Sequence, residues 1–424
     1  MRRFAWHLSP RDVGNRTTSG SPRFVRRRWL RAIALVVHPG LRRADGRVER
    51  GALHLVLPAV DSKDALQHEL GQVFPGASQE VSPGLFACEL APKAGARVPF
   101  LAFARQFLPD AQAVKAASIR SWASLLVESV AGVLPDHQTW SLHVIPFKEA
   151  VGSSRTGARA WHSRTRRALP PPSSAVESRQ SVGDQRCRLV REAALEMLQK
   201  RRRHLVRYLR QHEGVFVEDE ALVQLLLMSP DTGFLSVAKA PFAFQEQQVV
   251  SCFPGGEVPL AVDKQAPSRA FAKLVEAELR LGRRIAARDT CVDLGASPGS
   301  WTYVAVRRGA RVTAVDRADL REDLMQDRNV RFERGDAFRF EPESPVDWLL
   351  CDVIASAERS AERLLEWLRR KWCRHFVVTL KVDHAGSGDV LAGLKRELPA
   401  LTSELGLLRL CANKKEVCAF GTIA

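Results

Sequence analysis

The residues best suited to chemistry lie in one stretch, Asp293-Leu294-Gly295-Ala296-Ser297-Pro298-Gly299-Ser300-Trp301-Thr302. An apolar run, TCVDLG at 290–295, leads into it, and a helical pattern follows from 298. A glycine-bearing turn between strand and helix lets the backbone approach a ligand at the open end of a parallel sheet. The stretch has neither the GxGxxG of dinucleotide sites nor the GKS/T of a phosphate-binding loop, so by itself it suits any nucleotide-like cofactor. Pro298 fits the first turn of the helix. The next strand ends in Asp316, a carboxylate suited to ribose hydroxyls. Asp336, in GDAF after the third strand, suits an adenine amino group, and Asp352 ends the fourth strand. Four strand-end acids around one glycine turn predict a cofactor crevice.

The elements that must position these acids follow from the pattern after residue 250. Strands read at 290–295, 311–316, 330–335, 346–352 and 375–381, with helices at about 268–285, 298–309, 357–372 and 386–398. Strands alternating with helices predict an α/β, Rossmann-like, mostly parallel sheet. LGLLRLCAN and KEVCAFGTI close it as an antiparallel hairpin.

DLGASPGSW resembles motif I of the S-adenosylmethionine-dependent methyltransferases, in the form found in the FtsJ-like RNA 2′-O-ribose methyltransferases. The resemblance implies a class I methyltransferase domain with a seven-stranded sheet and S-adenosylmethionine as cofactor. Ser268, Asp293, Gly295, Ser297, Pro298, Gly299, Ser300, Trp301, Asp316, Asp336 and Asp352 then line the cofactor. It also implies a Lys-Asp-Lys-Glu tetrad, matched in order by Lys273, Asp352, Lys381 and Glu416. Residues 266–277, APSRAFAKLVEA, look like the signature of one bacterial branch, whose members methylate a cytidine ribose in large-subunit ribosomal RNA. Phe103-Ala104-Arg105-Gln106 is similar to an element of that branch that stands ahead of a THUMP-like RNA-binding region. Ser300 replaces the second glycine of the usual motif, and Ser297 stands at a Cys or Ala position; both are small.

On that resemblance, Lys381 accepts the proton of the ribose hydroxyl, and Asp352 stands between cofactor and base. A lysine acts as a base only when neutral, and free lysine titrates at about 10.4, so burial or a neighbouring cation must help. Lys273 near Lys381 is expected to be that cation, and Lys273 and Glu416 to position the ribose. Amine methylation in related folds uses an [N/D]PPY-like loop after the fourth strand, where this chain has CDVIAS. Cytosine C5 methylation needs a nucleophilic cysteine, but Cys351, one residue before the strand-end acid, is expected to point into the core as an inert thiol. Two other readings stay open. One is a transfer-RNA methyltransferase, since THUMP-like modules also occur there. The other is a non-catalytic RNA-binding assembly factor with a vestigial cofactor pocket.

The 424 residues carry 64 Lys+Arg against 47 Asp+Glu, a net charge of +17 that points to a polyanion. Residues 1–250 hold 36 Lys+Arg and 22 Asp+Glu, whereas 251–424 hold 28 and 25. The basic excess therefore precedes the chemistry, which predicts RNA capture in front; DNA is not expected as a partner. Residues 1–24 read as a flexible basic leader, with an organelle-targeting segment as the second reading. Residues 25–95 read as a small α+β domain with strands AIALVV, ALHLVLPA and LFACEL. Residues 96–250 read as the THUMP-like, ferredoxin-like RNA-binding domain, interrupted by a flexible basic loop at 151–185. A helix at about 186–212 presents an Arg-rich face, suited equally to solvent or RNA. Eight cysteines without a CxxC pair argue against zinc or disulfides, so no metal site is expected and a reducing cytoplasm fits. No apolar run reaches the roughly 18 residues of a membrane span. An apolar fraction of 45% excludes disorder throughout.

Overall fold

The period-two runs expected near residue 53 form the first sheet of a computed structural model, which describes residues 53–89, 100–148, 182–210, 215–217, 219–238, 244–382 and 387–424. The expected leader, the AIALVV strand and residues 151–181 of the basic loop lie outside the described residues. β1 (Leu53–Pro58), α1 (Lys63–Val73), β2 (Ser78–Ser82) and β3 (Leu85–Glu89) are followed by β4 (Ala104–Leu108), and the strands pair in the order β2-β3-β1-β4. The expected boundary at 95/96 is therefore displaced. β4, which carries Arg105 and Gln106, pairs antiparallel with β1, Phe107 facing Val56 in register. Burial explains the pairing, since Val56, Phe86 and Phe107 all pack into one apolar cluster with Leu66 and Leu70 of α1.

The second sheet orders β5 (Gln112–Lys115), β6 (Trp140–Pro146), β7 (Ala221–Leu227) and β8 (Thr232–Ala238) as β5-β8-β7-β6. α2 (Ile119–Val133) and α3 (Val182–Arg201) cover it, sharing a core with Trp122, Trp140 and Leu198. Ser118 caps α2 by accepting the Ser121 N–H at 3.1 Å. α3 starts at Val182, inside the expected loop, and the long helix expected to 212 breaks at Arg202, where φ is −144°. A short α4 (Arg203–Val206) follows.

α5 (Phe244–Val249) and a 3₁₀ turn at Pro254–Gly256 lead into the α/β layer. Its elements are α6 (Phe271–Leu281), β9 (Thr290–Leu294), α7 (Ser300–Arg307), β10 (Arg311–Asp316), α8 (Glu322–Met325), β11 (Val330–Arg334), β12 (Val346–Cys351), α9 (Ala357–Arg369), β13 (Cys373–Lys381), α10 (Ser387–Leu401), β14 (Thr402–Leu408) and β15 (Glu416–Ile423). Seven strands order as β11-β10-β9-β12-β13-β15-β14, parallel through β13 and closed by the antiparallel β15. Strands parallel to both neighbours are covered on both faces, which is why their sequences read as continuous apolar runs. One face packs Leu349, Phe376 and Leu364, the other Trp301, Trp348 and Phe420. No helix among the described residues is long and apolar enough to cross a membrane.

Two left-handed glycines separate strain from crowding. Gly76 has φ +72° and open space where a Cβ would stand, whereas at Gly256 (φ +71°) a Cβ would meet the Arg105 carbonyl oxygen at 1.8 Å. Gly76→Ala should lower stability by about 1 kcal/mol through backbone strain alone. Gly256→Ala should lower it by about 2–4 kcal/mol, because backbone must move. Denaturant midpoints check both, and equal losses would show that the 254–256 turn yields freely.

Candidate functional site

Strand order reverses between β9 and β12, since the chain runs outward from β9 to β11 and then crosses back to β12. The crevice beyond such strand ends is where open α/β sheets bind ligands. Leu294 and Cys351 face each other there, and the Asp352 N–H donates to the Leu294 carbonyl at 3.2 Å.

Four charged side chains meet beside this point. α6 turns Lys273 inward, and Lys273 Nζ donates to both Asp352 oxygens at 3.0 Å. The same Nζ pairs with Glu416 Oε2 at 2.6 Å. Lys381 and Glu416 are register partners on β13 and β15, and Lys381 Nζ pairs with Glu416 Oε1. Thr379 Oγ1 donates to Asp352 Oδ1 at 2.6 Å. All four expected tetrad residues are thus brought together. Thr379 was not foreseen, although it lies two residues before Lys381, on the same strand face.

Burial and charge oppose each other in this cluster. Burial works to lower the Lys273 pKa, but Asp352 and Glu416 outweigh it and hold the amine above its ordinary value, hence charged. Burial pushes Glu416 up, but hydrogen bonds and charge from Lys273 and Lys381 hold it below the usual carboxylate range. Lys273 was expected to be the cation near Lys381, with Asp352 and Glu416 orienting the amines; Glu416 stands between the two amines, one on each oxygen. Asp352 is engaged by Lys273 and Thr379, and the carboxylate on Lys381 is Glu416. The Lys381 side chain is 27% exposed against 11% for Lys273, so Lys381 is the more open of the two to solvent.

The glycine turn is built for packing as well as approach. A Cβ on Gly295 (φ +75°) would meet Val353 Cγ2 at 2.7 Å, and one on Gly299 (φ +106°) would meet Leu324 Cδ1 at 2.3 Å. Gly299 is the N-cap of α7, so Pro298 precedes the helix instead of entering its first turn; its carbonyl accepts the Arg321 N–H at 3.0 Å. Ser297 N–H donates to Asp316 Oδ2 at 2.9 Å, and Ser297 Oγ donates to the Asp319 carbonyl at 2.9 Å. Ser268 and Ser300 join their hydroxyls at 2.7 Å. Trp301 is buried, and its indole N–H donates to the Ala270 carbonyl at 2.8 Å, which ties α7 to the start of α6 in the core.

The strand-end acids divide. Asp316 accepts one backbone N–H on each oxygen, from Ser297 and Ala318, which leaves lone pairs for hydroxyl donors. Asp336 accepts the Phe338 N–H, the main cause of its lowered pKa, and pairs with the exposed Arg317 at 2.9 Å. Half-free carboxylates at neighbouring strand ends fit the hydroxyl and amino groups of a nucleoside. Asp293 does not face the crevice as a free carboxylate: it is 1% exposed and accepts from Thr302 Oγ1 at 2.7 Å. Burial pushes Asp293 to about 7, against the opposing bond from Thr302. Burial also pushes the Cys351 thiol to about 12, consistent with an inert core residue. No cluster of three or more His, Cys, Asp or Glu among the described residues is arranged to hold a metal ion.

The fold and this crevice define a methyltransferase-like α/β domain. Residues 266–385 match the FtsJ-like methyltransferase family model, so this part of the chain is similar to that family. Curated relatives include the ribosomal RNA large subunit methyltransferase M of Xylella fastidiosa (strain 9a5c), 42% identical over 130 residues, covering 28% of this chain and 35% of that protein. The protein of that name from Pseudomonas putida (strain W619) is 37% identical over 179 residues, covering 40% and 48%. The one from Thauera aminoaromatica is 32% identical over 201 residues, covering 45% and 55%. The chain thus spans between about a third and just over half the length of these relatives.

The buried Asp293 generates a pH prediction. Its folded-state pKa of about 7 lies above the ordinary 3.8, so between these values the folded chain binds more protons than the unfolded. Stability contributed by this group is therefore present at low pH and lost as pH rises from about 4 to about 7. Asp293→Asn should remove that loss, and unfolding titrations of both proteins at several pH values measure the difference. Parallel curves would show that Asp293 ionises normally.

Proposed function

We propose that this chain is an S-adenosylmethionine-dependent methyltransferase acting on a ribose 2′-hydroxyl of RNA, in a cytidine of large-subunit ribosomal RNA. The observation that carries the reading is the Lys273–Asp352–Glu416–Lys381 cluster at the sheet's switch point, with one amine buried and one more open to solvent. The names of the curated relatives support the RNA class. Such a substrate places the work in the cytoplasm.

Bound S-adenosylmethionine supplies an electrophilic methyl group. Asp316 and Asp336 accept from its hydroxyl and amino donors, while the 295–300 turn, with Ser268 behind Ser300, forms the floor. Lys381 Nζ, as the neutral amine once its own proton has passed to solvent, would take the proton from the 2′-oxygen as that oxygen bonds to the methyl carbon and the carbon–sulfur bond breaks, and Glu416 would hold that amine in place. Lys273 stays charged between two carboxylates, so it orients Asp352 and Glu416 and does not act as the base. The +14 excess of residues 1–250 (36 against 22) supports RNA capture by a THUMP-like region in front of the 251–424 catalytic domain.

Lys381→Ala should lower methyl transfer to ribosomal RNA by about 10²–10⁴, the usual contribution of a positioned acid–base group. Calorimetry should show unchanged S-adenosylmethionine binding. Mapping of 2′-O-methyl sites in RNA treated with each protein reads the product. Turnover retained by the variant, or a wild-type chain that binds cofactor and methylates no ribose, overturns the assignment.

A further inference from the structure

Three residues beyond Lys273 on the same face of α6, Glu276 is fully buried and belongs to no step described above. Its two oxygens accept the backbone N–H groups of Cys411, at 3.0 Å, and Ala412, at 3.2 Å. These amides lie in the connection between β14 and β15, just ahead of Glu416. Within that connection Asn413, also buried, donates from Nδ2 to the Glu416 carbonyl at 3.1 Å. Arg280, one turn further along α6, binds Glu276 Oε1 at 3.0 Å and donates to the Gly256 carbonyl at 3.0 Å. Arg105 of β4 reaches the same turn, donating to the Gly255 carbonyl at 2.7 Å and the Pro58 carbonyl at 3.0 Å.

We infer that Glu276 is a positioning residue for Glu416, and that Arg280 and Arg105 extend the brace to the first sheet. The inference rests on the reaction proposed above. Its logic is geometric. Glu416 must reach Lys273 on α6 with one oxygen and Lys381 on β13 with the other. Its β13 side is set by strand register, but register leaves the distance to α6 undetermined. Glu276 supplies that missing tie, because it joins the helix bearing Lys273 to the backbone that leads into Glu416. A buried ion pair costs desolvation, and apolar replacement is often no less stable, so stability alone is weak reason for one here. A two-amide clamp beside the tetrad is a specific use for the charge.

The test replaces the pair in the full-length chain. Glu276→Leu with Arg280→Met removes both buried charges together, so no unpaired charge is left; the melting transition should fall by no more than the loss of the hydrogen bonds to the 411–412 amides and the Gly256 carbonyl, and cofactor stoichiometry should stay full. Its kcat should fall about 100-fold, the scale of a misplacement of about 1 Å, with KM for RNA within twofold of wild type. Amide hydrogen exchange at 411–416 should speed up. Glu276→Gln with Arg280→Met keeps one acceptor for the loop and should recover at least tenfold in kcat; it also carries the comparison should the leucine variant unfold. An unchanged kcat per cofactor-binding site overturns the inference while leaving the reaction intact. If the wild-type chain methylates no ribose, the reaction falls instead. The exchange readout then judges the clamp alone, and unchanged protection at 411–412 overturns it.

Discussion

One carboxylate shared by two amines is the constraint on which the site depends. Glu416 can serve Lys273 and Lys381 together only because each engages a different oxygen. The arrangement demands an antiparallel β13–β15 pairing in one register, since a slip of one residue turns a side chain to the opposite face. It also demands that α6 lie close enough for Lys273 to span Glu416 and Asp352. Removing one partner from such a buried cluster leaves an uncompensated charge, at a cost of about 3–5 kcal/mol. The cluster is therefore held by the surrounding fold; it does not hold the fold together.

The strand-end acids show how position decides chemistry for one residue type. Asp316, Asp336 and Asp352 stand at the open edge, each held by backbone or side-chain donors. Asp293 lies two residues short of those strand ends, in register with Ala314 and Leu350; Thr302 of α7 bonds to it, and low dielectric favours its neutral form. The same neighbourhood explains the glycines. Gly295 and Gly299 admit Val353 and Leu324, so the turn is shaped first by the approach of protein to protein.

The basic first half and the nearly neutral second half are physically joined. The 254–256 turn accepts from Arg105 on one side and Arg280 on the other, and Glu69 of α1 accepts the N–H groups of Ala102 and Phe103 while pairing with Lys395 of α10. Such ties fix the placement of the first sheet against the crevice.

Much of this was legible in the chain. Apolar runs located the five parallel strands to within two residues, most clearly β9, β12 and β13, whose buried positions must be apolar; the edge strand β11 (VRFER) carries a weaker pattern. The motif resemblance, matched in order by Lys273, Asp352, Lys381 and Glu416, named the tetrad. What the chain left open depended on contacts between residues far apart in sequence. β4 joined the first sheet because apolar burial against β1 outweighed its nearness to the second module. Asp293 became a core residue because Thr302 and α7 closed over it. Thr379 and Glu276 carried only a strand or helix period as their signal, too common to single them out. Residue types and periodicity determined which groups stand at the crevice. Only the tertiary structure decided which oxygen meets which amine, because that depends on strand register and helix placement, and the two carboxylates it sets against Lys273 outweigh burial and keep that amine charged.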